Sequence, residues 1–123
     1  METELMRDRD KATANDQREA LFAAADWCSV VSGEPLRSGV PQLAHRVAKS
    51  RARLDKYGPG VMNHALNLVP VRNLEENDRC NIGNRPVEAN ALLQRIIRVV
   101  TGVEPEPNMR SEYRALRESF GGR

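Results

Sequence analysis

Residues 43–84 place the strongest constraint on the fold, because polar residues cluster there without the spacing of an amphipathic helix. This segment contains both histidines, His45 and His64, and six of the nine asparagines in the 123-residue chain. Gly-Pro-Gly at 58–60 and Pro70 prevent one continuous helix or central strand across it. Any chemistry that the protein performs is therefore expected in this segment.

On both sides of this segment, apolar residues recur at helical spacing. A helix is predicted to begin near Asp16, with Glu19 completing a capping box, and to end near Asp26. After the segment, a helix is predicted from Pro86 to Gly102, with Asn84 as its cap. An extended linker at 103–107 follows it. A last helix is predicted to carry four apolar residues on one face: Met109, Tyr113, Leu116 and Phe120. We interpret these apolar stripes as parts of the core.

A small mixed unit is predicted between the flanking helices. Its elements are, in chain order, a strand at 27–31, a turn at 32–35, a return strand at 42–47 after a turn at Ser38 and Gly39, a basic helix at 48–57, an extended segment at 66–71, and a short helix at 74–82 between the N-cap Asn73 and Gly83. A two-stranded ribbon is marginal alone, so it needs a helix packed on it.

Charge is distributed unevenly along the chain. Residues 1–26 carry four basic and seven acidic side chains, a net charge of −3, which leaves +5 for the remainder. Between residues 37 and 56 a single acid, Asp55, is opposed by six basic residues: Arg37, Arg46, Lys49, Arg51, Arg53 and Lys56. Such a run suits a polyanion such as nucleic acid, although a solvated helix face has the same composition.

The two cysteines, Cys28 and Cys80, are too few for a disulfide framework. No apolar run reaches the ~20 residues of a membrane span, and the charged N-terminus lacks the apolar core of a secretion signal. We therefore expect a soluble, cytoplasmic protein with free thiols and no membrane partner, and not an extracellular hydrolase.

His45, at the end of a predicted strand, is suited to accept a proton near neutral pH. An asparagine can hold such an imidazole in one tautomer, and a second histidine or an amide oxygen can bind a divalent cation that stabilises phosphate charge. His45, His64, Asn67 and Asn77 supply these groups, which suffice for phosphodiester hydrolysis by an activated water. Residues of these types at this spacing occur often by chance, so the spacing alone does not identify that reaction.

Four short motifs sharpen the hypothesis. They are AHRV at 44–47, KYG at 56–58, NHALNLVPV at 63–71 and ENDRCNIGN at 76–84. In this order they resemble the HNH nucleases (His-Me finger, ββα-metal fold), in particular a phage and bacterial type, over residues 28–84. The resemblance implies an α+β fold, mostly helical, with a central ββα-metal unit: a two-stranded antiparallel ribbon packed on a short helix and flanked by N- and C-terminal helices.

The resemblance also implies roles by position. His45 corresponds to the general base that activates water, and Asn67 to the asparagine that orients this base and braces the loop. Asn77 stands at the metal-ligand position, with His64 as a second ligand of one Mg²⁺ or Mn²⁺ or as a contact to the leaving group. The residues expected along the DNA backbone are Arg46, Lys49, Arg51, Arg53 and Lys56.

Two features depart from the pattern of these nucleases. Ala44 stands where many of them carry a metal-binding Asp, Glu or His. Their zinc knuckle needs two cysteine pairs, but Ser32 and a shifted Cys28 occupy the positions of one pair, and Arg72 and Glu76 those of the other. A structural zinc is therefore not expected, and both cysteines are interpreted as small buried residues.

The sequence thus predicts one domain of three segments, 1–26, 27–84 and 85–123, that functions as an HNH-type endonuclease on DNA. The alternative is a non-catalytic phage or mobile-element protein of the same origin that binds nucleic acid or another protein. A purely helical interaction module would require residues 27–47 to be helical, which the turn residues at 32–35 oppose.

Overall fold

A computed structural model describes residues 15–36 and 41–121. Within these residues the fold is mixed α+β, with six helices and a two-stranded antiparallel sheet. The elements are α1 (residues 15–24), β1 (Gln42–His45), α2 (Arg51–Tyr57), α3 (Pro59–Met62), a 3-10 turn (Ala65–Asn67), β2 (Leu68–Val71), α4 (Leu74–Cys80), α5 (Pro86–Val100) and α6 (Met109–Ser119). The predicted α+β class is therefore confirmed.

The sheet pairs β1 with β2, and His45 lies opposite Leu68 in this register. The extended segment predicted at 66–71 thus supplies the partner strand. Pro70 is tolerated there because a strand of a two-stranded sheet needs to donate hydrogen bonds on one side only. The Pro70 carbonyl accepts the Val30 N–H at 3.0 Å, so the chain that follows α1 lies along this edge of β2.

The strand predicted at 27–31 and its pairing with the return strand are wrong. Residues 28–35 fold into a compact turn instead, in which the Ser29 N–H donates to the Glu34 carbonyl at 2.8 Å and the Gly33 N–H donates to the Ser29 carbonyl at 2.8 Å. One isolated bridge at the ends of the turn is the only ladder contact among these residues. The turn satisfies its own backbone groups, which leaves β1 to pair with β2.

The short helix predicted after Asn73 is confirmed as α4. The Asn73 side chain accepts the Glu76 N–H at 3.0 Å and so caps the helix, which ends at Cys80, two residues before the predicted end. The basic helix is also present as α2, but it starts later than predicted because Ser50 caps it.

The flanking helices differ from their predictions only at their ends. α5 begins at Pro86 as predicted, but its N-cap residue is Arg85 rather than Asn84. α1 already includes residue 15, so Asp16 lies inside the helix and is not its N-cap.

Two clusters of buried side chains form the core. The first lies between the sheet, α4 and α6 and joins residues from all three predicted segments, among them Leu21, Val31, Ala44, Val69, Cys80 and Tyr113. The second surrounds α5, and its members include Val47, Met62, Leu66, Ile82, Leu93 and Ile96. The Tyr113 hydroxyl donates to the Leu68 carbonyl at 2.8 Å, which fastens α6 to the sheet.

Two predicted features, the basic residue Arg37 and the turn at Ser38 and Gly39, lie outside the described residues. Among the helices that are described, none has both the length and the apolar character that crossing a membrane requires.

Candidate functional site

Asn67 lies at the end of the 3-10 turn and is fully buried. Its side-chain oxygen accepts the Val47 N–H at 2.8 Å, and its side-chain nitrogen donates to the carbonyls of Val47 at 3.0 Å and Met62 at 2.9 Å. The Asn67 carbonyl also accepts the Arg46 N–H at 2.9 Å. These bonds close the loop between β1 and β2 immediately after His45, as expected for a residue that braces the loop.

His45 is the last residue of β1 and is half-buried. Its Nε2 atom lies 3.2 Å from the Asn63 side-chain oxygen, and the Asn63 carbonyl accepts a hydrogen bond from Gln17 of α1 at 3.2 Å. With the Asn63 oxygen as acceptor, Nε2 carries the proton, and Nδ1 of the neutral ring has the lone pair. Asn63, which the sequence did not single out, therefore orients His45, whereas Asn67 acts on the backbone beyond it.

Both ring nitrogens of His64 have partners. Nδ1 accepts the Leu66 N–H at 3.1 Å and so caps the 3-10 turn, while Nε2 lies 3.2 Å from a Glu106 carboxylate oxygen. Because the Nδ1 lone pair accepts a hydrogen bond, the proton is on Nε2 and points to Glu106. In this conformation His64 offers no lone pair to a cation.

Asn77 lies on α4, half-buried at the edge of the face that packs against β1. The hydrogen bonds of the described residues join His45 to Asn63 and His64 to Glu106, and none joins either histidine to Asn77. No group of three or more His, Cys, Asp or Glu side chains in the described ranges is close enough to hold a metal ion. The fold thus brings His45 and Asn67 to one loop, and no hydrogen bond among the described residues links His64 to Asn77.

The positions compared with the zinc knuckle contain a buried polar network. One Glu76 oxygen accepts the Ser29 hydroxyl at 2.7 Å and the Arg72 N–H at 2.8 Å, and the other accepts the Arg72 guanidinium at 3.1–3.2 Å. The Ser29 oxygen in turn accepts the N–H groups of Val31 and Ser32. Direct hydrogen bonds therefore join the turn at 28–35 to the start of α4.

The sequence predictions do not include this network, although the sequence contains a signal for it. Asn73 and Glu76 have the spacing of a capping box, in which the acid three residues after the N-cap reaches back to a backbone N–H. Glu76 reaches one residue further, to Arg72. Burial opposes ionisation of Glu76, but its hydrogen bonds with Ser29 and the Arg72 backbone hold the pKa below the ordinary value.

The two cysteines lie in different environments. Cys80 is fully buried, and burial raises the pKa of its thiol to about 11. Cys28 is half-buried, and its sulfur lies 3.4 Å from the Asp26 carbonyl.

Four of the five predicted nucleic-acid residues lie in or next to α2. Lys49 and Arg51 are exposed, and Arg51 lies 3.9 Å from Asp55 in a pair open to water. Arg53 donates to the Ala48 carbonyl at 3.0 Å. Exposed ion pairs of this kind are weak, so Arg51 remains accessible to a phosphate. The other member of this group is Lys56, which lies over the Tyr57 ring at 5.2 Å.

Arg46 is separated from these four residues. Its side chain enters a cleft between α5 and α6, where Glu88 and Glu112 also lie, while Arg53 and Lys56 line a recess on a different face of α5. The Arg46 Nε atom is buried without a hydrogen-bond partner in the described part of the chain. Burial lowers the pKa of this guanidinium, although it remains charged at neutral pH.

Comparisons with known protein families, curated proteins and solved structures found no match. The arrangement offers a half-buried imidazole at a strand end, a rigid loop behind it and a basic helix in the same connection. These groups can accept a proton and attract a polyanion.

Proposed function

We propose that this protein is an HNH-type endonuclease that hydrolyses DNA phosphodiester bonds with a histidine general base and one divalent cation, Mg²⁺ or Mn²⁺. The observation that carries the proposal is the loop closed by Asn67, which follows His45 directly and connects two antiparallel strands on which α4 packs. This order of strand, loop, strand and helix agrees with the ββα unit that the motifs suggested.

In the proposed reaction His45 takes a proton from water through Nδ1, while Asn63 holds the opposite ring nitrogen. Asn67 acts indirectly, because it fixes the backbone beyond His45 and makes no hydrogen bond to its ring within the described residues. We therefore assign Asn67 as a positioning residue. A positioned base of this kind contributes about 10²–10⁴-fold to a rate.

Asn77 and His64 are the proposed protein ligands of the cation. When bound, a divalent cation would supply charge stabilisation for the phosphate. The Asn77 amide oxygen is an acceptable ligand for Mg²⁺ or Mn²⁺. His64 can join it only after Glu106 leaves Nε2 and the ring proton moves from Nε2 to Nδ1, which also breaks the bond that Nδ1 accepts from the Leu66 N–H, so the proposal includes this rearrangement.

The DNA backbone is proposed to lie along α2, where basic side chains remain accessible to solvent. Contacts to phosphates position the duplex without reading its sequence. The residues assigned to this surface are Lys49, Arg51, Arg53 and Lys56. Arg46 is left out of the surface because its guanidinium lies in the cleft between α5 and α6.

Plasmid nicking by the purified protein, with and without Mn²⁺ or Mg²⁺, tests the proposal. His45→Gln keeps a side chain that can bond to Asn63 but removes the imidazole, so nicking is expected to fall by at least about 10². Gln94→Ala, an exposed change on α5 away from the residues proposed to contact DNA, is the control and should cut normally. If His45→Gln cuts as fast as the parent protein, the assignment of the base is wrong.

The second candidate is a non-catalytic protein of the same origin that binds nucleic acid or another protein. Two observations favour this candidate. Ala44 is buried and has no group that binds metal, and His64 is paired with Glu106. It predicts that millimolar Mn²⁺ leaves the melting temperature unchanged, since a ligand of the native state would raise it. DNA affinity that falls steeply with salt would then separate a nucleic-acid binder from a protein binder.

A further inference from the structure

A small recess lies between the turn that follows α1 and the face of α6 that carries Tyr113. Its volume is ≈ 110 Å³, and the polar groups around it come from Asp26, Ser29, Arg110, Arg114 and Arg117, with Tyr113 at its base. Asp26 is the only acidic residue among those that line it in the described part of the chain. The recess therefore carries an excess of positive charge.

The three arginines share one face of α6 because they are spaced by four and three residues. Arg110 is already occupied, since it pairs with the Asp26 carboxylate and donates to the Ala23 carbonyl at 3.1 Å. The described residues supply no carboxylate partner to Arg114 or Arg117. Two guanidinium groups thus face the recess with their charge uncompensated.

Arg117 is the more constrained of the two. Its Nε atom is buried and has no hydrogen-bond partner among the described residues. Its guanidinium packs beneath Gly33, where any Cβ would overlap it, and Gly33 has a φ of 78° that also favours glycine. The position of the Arg117 guanidinium is thus set by packing against Gly33 and not by a protein acceptor at Nε.

We propose that this recess binds a phosphate group through Arg114 and Arg117, with Arg110 held in place by Asp26. Guanidinium groups match the oxygen geometry of phosphate and form charge-assisted, bidentate hydrogen bonds with it. The small volume suits a compact tetrahedral oxyanion. The phosphate can belong to a nucleic-acid backbone or be a free anion, and both sources present the same oxygens to the arginines.

The site does not depend on the proposed nuclease activity, because its residues lie on α6 and on the turn after α1. Trp27 offers a direct probe, since it is the single tryptophan of the chain and is 51 % exposed next to Asp26 in the same turn. Both residues have positive φ values, 56° for Asp26 and 55° for Trp27, so the backbone of this turn is strained.

The test titrates inorganic phosphate, at constant ionic strength, into the full chain and follows heat and Trp27 fluorescence. Arg114→Gln and Arg117→Gln should each weaken phosphate binding by about tenfold or more. Arg85→Gln, an exposed arginine paired with Glu88 on α5, is the matched control and should bind as the parent does. Because Arg114 is exposed, its variant keeps the test valid even if Arg117→Gln does not fold.

A labelled single-stranded oligonucleotide, titrated into the same variants, distinguishes the two sources. Equal losses of phosphate and oligonucleotide affinity in Arg114→Gln would support the proposal with a backbone phosphate as ligand. Loss of phosphate affinity alone would support it with a free anion as ligand. The proposal is overturned if chloride displaces phosphate at equal concentration, or if both variants bind phosphate within twofold of the parent.

Discussion

The side-chain amide of Asn67 binds both backbone groups of Val47, accepting its N–H at 2.8 Å and donating to its carbonyl at 3.0 Å. This pair ties the chain two residues beyond His45 to the start of β2. A third bond, to Met62, adds the end of α3 to the same point. Since all three bonds are buried, one side chain joins the two ends of the connection between the strands.

Asn67→Ala is therefore expected to lower the free energy of unfolding by about 2–4 kcal/mol, because it leaves one N–H and two carbonyls buried without partners. Urea denaturation measures this loss. Asn67→Asp should be no more stable than Asn67→Ala at neutral pH, because a carboxylate has no proton to donate to the carbonyls of Val47 and Met62. Asn90→Ala, on the exposed face of α5, serves as the control and should change stability by less than about 0.5 kcal/mol.

The pairing of His64 with Glu106 makes a second prediction. If His64 becomes a metal ligand after release from Glu106, Glu106→Ala should increase the stabilisation of the protein by Mn²⁺, measured as a larger rise in melting temperature. The gain should vanish in the double variant Glu106→Ala/His64→Asn. Glu104→Ala, in the same linker, is the matched control. Equal Mn²⁺ responses of Glu106→Ala and the parent would exclude His64 as a ligand.

The Glu76 network predicts a loss of stability in acid. The pKa of Glu76 is lower in the folded protein than its ordinary value of 4.5, so its ionised form stabilises the fold at higher pH. That contribution is complete above about pH 5 and is lost as the pH falls through the folded-state pKa. Glu76→Gln should lower the free energy of unfolding at pH 7 by about 1.5–3 kcal/mol.

Glu75→Gln is the control for this change, because Glu75 precedes Glu76 on α4 but is exposed. Denaturation midpoints measured between pH 3 and pH 7 should converge for Glu76→Gln and the parent as the pH falls. Parallel curves for the two proteins would show that Glu76 contributes nothing through its charge.

Local sequence signals predicted five of the six described helices, and α3 was not predicted. Asn73 as the cap of α4, Pro86 as the first residue of α5 and the apolar face of α6 were all recognisable, because each depends on neighbours within one or two helical turns. The end of β1 at His45 was also close to its predicted place. These features need no knowledge of distant residues.

The remaining errors concern contacts between distant parts of the chain. Cys28 to Val31 had strand composition, but the turn at 28–35 closes on itself and the partner of β1 comes from beyond α3. The bond between His45 and Asn63 and the direction of the Arg46 side chain depend on tertiary packing in the same way. Composition alone placed Arg46 with the basic residues of α2, whereas in the structure its guanidinium lies in the cleft between α5 and α6.

That separation predicts different effects on DNA binding. Arg53→Gln, on α2, should weaken DNA binding at every sequence and reduce the slope of log affinity against log salt by about one, since one phosphate contact is lost. Arg46→Met should leave that slope unchanged, because its guanidinium lies in the cleft beside Glu88. The Met variant should also be at least as stable as the parent, since it removes a buried donor without a partner in the described residues. DNA affinity measured from 50 to 200 mM salt shows whether Arg46 contacts DNA. Equal changes in slope for both variants would show that Arg46 belongs to the DNA-binding surface.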